Sequence, residues 1–122
     1  MFLFKRRKEE RLDRRASLAG VPILHHNVSL IEQPDHLVTL KVKAERTGSL
    51  FDRLRPPGMV KSYELDEFGS FVVRQLDNRK SVLDVVRAFQ QRFGLSAREA
   101  ELGVVAFIKL LMQRQVLTVV IK

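Results

Sequence analysis

Side chains able to do chemistry are sparse in this 122-residue chain. There is no cysteine, which excludes disulfides, thiolate nucleophiles and cysteine-ligated zinc or iron–sulfur sites. His25, His26 and His36 are the only histidines. Neighbouring residues of an extended segment point to opposite faces, so His25 and His26 cannot easily share a metal with His36. No Ser-His-Asp arrangement is signalled; the nearness of Ser29 to His26 and Asp35 reads as accidental. Gly48, Gly58 and Gly69 are isolated, so no glycine-rich loop can cradle a phosphate. Asp66-Glu67 reads as a helix start rather than a carboxylate pair. Arg14-Arg15-Ala16-Ser17-Leu18 would suit a basophilic kinase, but matches this short arise by chance. No catalytic residue, metal site or cofactor is expected.

The chemistry that remains is gripping chemistry, and it sits on one stretch. At 100° per residue from Ser96 onward, Ala100, Val104, Phe107, Ile108 and Leu111 share one side, which is the expected core face. Arg98, Leu102, Val105, Lys109 and Met112 cluster on nearly the opposite side. Three apolar residues thus align between two cations. A groove floor for a peptide would look like this, with apolar contacts along the middle and Arg98 and Lys109 for acidic groups. Met112 suits such a surface because its side chain adapts to different shapes. The bland alternative is a helix packed on both sides, by a C-terminal strand or by a second subunit. The same stripe is therefore compatible with a homodimer.

Composition bounds the partners. The formal net charge is +8, from 22 Lys+Arg and 14 Asp+Glu. Residues 1–20 contribute +4 and the other residues another +4, so a sharply basic arm precedes a mildly basic body. Such a balance favours polyanions, acidic peptides or anionic surfaces. No stretch approaches the ~18 apolar residues that span a bilayer. The longest apolar run, Leu102 to Leu111, is broken by Lys109. Met1-Phe2-Leu3-Phe4 precedes Lys5-Arg6-Arg7-Lys8, the reverse of a secretory signal. Membrane partnership is not expected, and a cytoplasmic setting fits the absence of cysteine.

These residues need elements to hold them. The expected layout is an arm at 1–20, which is solvated or transiently helical and ended by Gly20-Val21-Pro22, followed by one domain at 21–122. Val28 to Gln33 and Leu37 to Lys43 read as strands joined by Pro34-Asp35-His36. Residues 44–58 hold Gly48, Pro56, Pro57 and Gly58 and read as a long loop, with Leu50, Phe51 and Leu54 tucked down. Val60 to Leu65 is a third strand. A first helix starts at Asp66, with Phe68, Phe71, Val72 and Leu76 on one face, and stops at Asp77-Asn78. A second starts at Ser81 and ends at Gly94, suited to a left-handed cap. A third starts at Ser96, with Glu99 three residues on as in a capping box, and runs to about Arg114. Val116 to Ile121 is rich in β-branched residues and could add a last strand.

The residues at these joints resemble the PqqD family. They are Tyr63-Glu64-Leu65-Asp66-Glu67-Phe68-Gly69, then Leu76-Asp77-Asn78-Arg79-Lys80-Ser81-Val82, then Val85 and Phe93, then Phe107, Leu110, Leu111 and Val116-Leu117. The likeness covers roughly residues 21 to 119. Asp77-Asn78 stands where the family often has Asp-Gly, and Asn tolerates the left-handed conformation such a turn needs. The basic arm is not part of the family pattern. The resemblance implies an α+β fold, a small antiparallel three-stranded sheet followed by a three-helix winged-helix-like bundle. It also implies a peptide-binding module rather than an enzyme. Members capture the leader of a ribosomally made precursor peptide and present it to a modifying enzyme, commonly of the radical S-adenosylmethionine (SAM) type. The leader adds as a strand beside the third strand, here Val60, Lys61, Ser62, Tyr63 and Glu64, against the third helix.

DNA binding is the rival reading, because helix, turn and helix over residues 81–114 form a helix-turn-helix pattern in a basic chain. Against it, the would-be recognition helix opens Ser96-Ala97-Arg98-Glu99-Ala100-Glu101, where two carboxylates would face phosphates. Its exposed stripe is apolar, and half of the charge excess sits in the arm. A nucleic-acid partner is therefore not expected.

Overall fold

The computed structural model describes residues 18–43 and 60–121. The expected tucked residues Leu50, Phe51 and Leu54, and the arm up to residue 17, lie outside the described residues. The order is β1 (Val21–Leu24), β2 (Val28–Glu32), β3 (Val38–Lys43), β4 (Val60–Glu64), α1 (Glu67–Gln75), α2 (Val82–Phe93), α3 (Ala97–Gln113) and β5 (Leu117–Val120). This is the α+β architecture, a three-stranded antiparallel sheet ordered β2-β3-β4 with three helices after it.

The last strand, β5, falls within the expected Val116 to Ile121, but its partner β1 was not expected. β1 and β5 pair antiparallel, Val21 opposite Val120 and Leu24 opposite Leu117. Val21-Pro22-Ile23-Leu24 has no period-two alternation, and its proline looks like a terminator. In a two-stranded ribbon each strand keeps a free margin, so a proline with no N–H can sit there. The ribbon ties both ends of the domain together. Its root reaches further back: Leu18 packs against the core, and the Gly20 carbonyl accepts from the Val82 N–H at 2.9 Å.

Local chemistry sets each boundary. In the β2–β3 turn, His36 takes φ 66° and the Asp35 carboxylate accepts from the Leu37 N–H at 3.0 Å. Asp66 caps α1, accepting from the Gly69 N–H at 2.8 Å. Asp77 Oδ1 accepts from the Arg79 and Lys80 N–H groups at 3.0 and 2.8 Å, with Asn78 left-handed at φ 65°. Ser81 and Asp84 form a full capping box on α2, and Gly94 closes it at φ 63°. At α3 the Ser96 hydroxyl accepts from the Glu99 N–H at 3.1 Å. It returns its own proton to the Glu99 carboxylate at 3.0 Å, so this pair closes through the hydroxyl rather than the backbone amide.

One core joins these pieces. Val38 and Leu40 of β3 meet Val72 and Val73 of α1, Val85 and Phe89 of α2, and Val104 and Ile108 of α3, all buried. Each such side chain contributes on the order of 1.5–3 kcal/mol when fully buried. Ser70 is the polar residue within this layer; its hydroxyl accepts from the Val38 N–H at 2.9 Å and fastens α1 to β3. Phe68 departs from expectation. Instead of lying inside with Val72, it is 49% exposed, because the turn of α1 carrying it overhangs the gap toward α3.

Candidate peptide-binding site

The site begins with β4. It pairs with β3 along one margin, Leu40 opposite Tyr63 and Val42 opposite Lys61, and among the described residues nothing pairs with its other margin. An unpaired strand edge presents a row of N–H and C=O groups ready to accept another strand. The pleat splits the five β4 residues. Tyr63 lies on the face of buried Leu40 and packs against the core, with Lys61 on the same side. Val60, Ser62 and Glu64 lie on the other face and are exposed. Ser62 and Glu64 border a shallow polar groove that Gln33, Thr39 and Lys41 also line.

The outer face of α3 borders a different groove, with no β4 residue among its described lining. Leu102 is 62% exposed and Met112 42% exposed, with Arg98 and Lys109 exposed as well. Val105 is only half exposed, because it also packs against the core. Arg98, Leu102, Val105 and Lys109 line one groove of about 840 Å³ together with Ala97, Glu101 and Ala106. Met112 is not among its described lining residues. Sequence reasoning missed the two alanines and Glu101. Their signal was positional: 101 and 105, like 98 and 102, stand one helical turn apart, and small residues beside a stripe leave room for a ligand. The groove carries two cations and one carboxylate at its rim, so its polar ends favour an acidic partner while its floor stays apolar. The guanidinium of Arg114 lies 5.9 Å from the Tyr63 ring centre and sets the C-terminal end of α3 beside β4.

Among the described residues no three His, Asp or Glu side chains cluster to hold a metal ion. His25 and His26 fall in the turn after β1 rather than on a strand, and the His25 imidazole meets the Thr118 hydroxyl at 2.6 Å. No described helix is long and apolar enough to cross a membrane. Two carboxylates away from the groove have lowered pKa values. A hydrogen bond from Arg74 holds the Glu32 carboxylate below its usual range, with the charge of Arg74 adding to it. The Lys80 N–H, then the Arg79 N–H, do the same to Asp77.

Comparison with known proteins agrees with this fold. The family profile described as coenzyme PQQ synthesis protein D (PqqD) matches residues 54–117, just over half of the chain and all of β4 through α3. Among solved structures, that of lasso peptide synthetase B1 complexed with the leader peptide has a similar fold, at a TM-score of 0.57 and 16% identity. The likeness covers 80% of this chain and 96% of that one. No curated protein matches the chain.

Proposed function

The chain belongs to the PqqD family, and from that premise we propose that it is a non-catalytic carrier for a precursor peptide. It captures the leader segment as an added strand on the free margin of β4. It holds the leader's side chains against the outer face of α3 and presents the attached core to a modifying enzyme of the radical SAM type, in the cytoplasm. The observation that carries this reading is the exposed apolar stripe of α3 between Arg98 and Lys109, in a domain whose β4 edge is unpaired among the described residues. The similar fold of lasso peptide synthetase B1, solved with a leader peptide, supports a leader-binding role. Main-chain hydrogen bonds would supply affinity, and the α3 pockets would supply choice among side chains. The preferred leader carries apolar residues between acidic ones.

Titration with a leader peptide encoded beside the gene, followed by backbone amide NMR shifts, tests this. Shifts should concentrate at Val60–Glu64 and at Leu102–Lys109. Leu102→Glu should weaken binding by roughly tenfold or more, the size of one lost apolar contact plus charge repulsion. The melting temperature should hold, since Leu102 is mostly exposed. Val105 is a poorer probe, because its inner side touches the core. Shifts confined to the arm would overturn the reading.

A further inference from the structure

A second apolar pocket opens on a different side of α3. It holds about 390 Å³ and is walled by Phe68 of α1, Phe89 of α2 and Phe107 of α3, with Gly103 at its lip. Phe68 packs against two rings, its centre 5.9 Å from that of Phe89 and 4.7 Å from that of Phe93, yet it stays half exposed. Gly103 lies in the middle of a seventeen-residue helix, where glycine is the poorest residue short of proline. A Cβ there would meet nothing among the described residues within 4 Å. No neighbour described therefore requires the missing side chain; an occupant of the pocket would. The rim is acidic: Asp66 and Glu99 border the pocket, and Glu67 stands beside them, sharing its charge with Arg92 at 3.6 Å.

We propose that the occupant is the chain's own amino-terminal tip, with Phe2 and Phe4 seated against the aromatic wall and Lys5 to Lys8 facing the carboxylates. Three observations converge on it. The tip joins aromatic residues to four consecutive cations, the complement of an aromatic pocket with an acidic rim. The arm is rooted close by, because Gly20 is bonded to Val82 at the start of α2, and Phe89 lies ~10 Å further along the same helix. The fourteen steps from Phe4 to Leu18 reach ~21 Å if helical and ~46 Å if extended, more than enough. The docked arm covers an apolar face that the leader groove, nearly half a turn away around α3, does not use.

The absence of cysteine makes the test direct. Glu9→Cys in the full chain accepts a single nitroxide label, and the expected result is amide line broadening centred on Phe68–Phe71 and Glu99–Phe107. Gly103→Met, which fills the pocket with a good helix former, should abolish that broadening. If Gly103→Met does not fold, the double change Phe2→Ser with Phe4→Ser should abolish it instead. Broadening that is spread evenly, or that spares Phe68–Phe71, overturns the proposal. So does broadening that persists when labelled chains are mixed with isotope-labelled, label-free chains, since the arm would then belong to another copy. Leader binding is read separately, so loss of one result leaves the other standing.

Discussion

Ser70 shows how much one small polar group can carry. It is fully buried, and its hydroxyl is the partner of the Val38 N–H at the start of β3. Replacing it with alanine leaves that amide without an acceptor in an apolar layer, which costs about 1–3 kcal/mol. Chemical denaturation of Ser70→Ala should show a loss of that size with an unchanged slope; a loss near zero would mean that Val38 finds another acceptor. Two exposed carboxylates act on the pH axis. Arg74 grips Glu32 bidentately, at 2.9 and 2.7 Å, and Asp77 accepts two turn amides. Both carboxylates titrate below their ordinary values of 4.5 and 3.8. The folded protein thus binds these protons less readily than the unfolded chain. The resulting stability is complete above the unfolded values and drains away as pH falls through the lower folded ones. A thermal melt series from about pH 6 down to about pH 3 should show the midpoint falling below about pH 4.5. Asp77→Asn and Glu32→Gln should each flatten that fall.

At the scale of elements, α1 and α3 approach each other at Gly69. A Cβ added there would stand 3.1 Å from the end of the Phe107 ring. That atom is the far end of a half-buried side chain beside an open pocket, so it can give way. Alanine also gains about 0.5–1 kcal/mol over glycine inside a helix. Gly69→Ala should therefore leave stability within about 0.5 kcal/mol, whereas Gly69→Val, with two more carbons facing Phe107, should cost about 1–3 kcal/mol. Equal losses for both would show that the helices cannot move. Much at this scale could be read from the chain. Asp66, Ser81 and Ser96 announce three helix starts because capping is local chemistry, and the alternation Val38, Leu40, Val42 announces a strand. The pairing of β5 with β1 could not be read, because it joins residues nearly a hundred positions apart and β1 does not alternate. Phe68 misled for a related reason: periodicity reports which face is apolar, not whether a neighbour arrives to cover it. The candidate groove was legible in Arg98, Leu102 and Lys109. The half-burial of Val105 was not, since it depends on how closely the rest of the core rises under α3.

For the whole molecule, charge distribution separates the peptide reading from the DNA reading. Half of the +8 resides in residues 1–20, and the helix that would enter a groove opens with Glu99 and Glu101. Any contact with duplex DNA should therefore be made by the arm and should be non-specific. Binding of this kind releases counterions, and its logarithm falls by about 0.9 per neutralised phosphate for each tenfold rise in salt. The full chain should retain duplex DNA only at low salt. Deleting residues 1–17, a cut chosen because Leu18 packs against the core, should abolish that retention while leaving leader affinity within about twofold, roughly 0.4 kcal/mol. A truncated chain that still binds duplex DNA with a steep salt slope would return α2 and α3 to the helix-turn-helix role. The first turns of α3 would then be presenting Glu99 and Glu101 to phosphates, an arrangement with no electrostatic reason to exist.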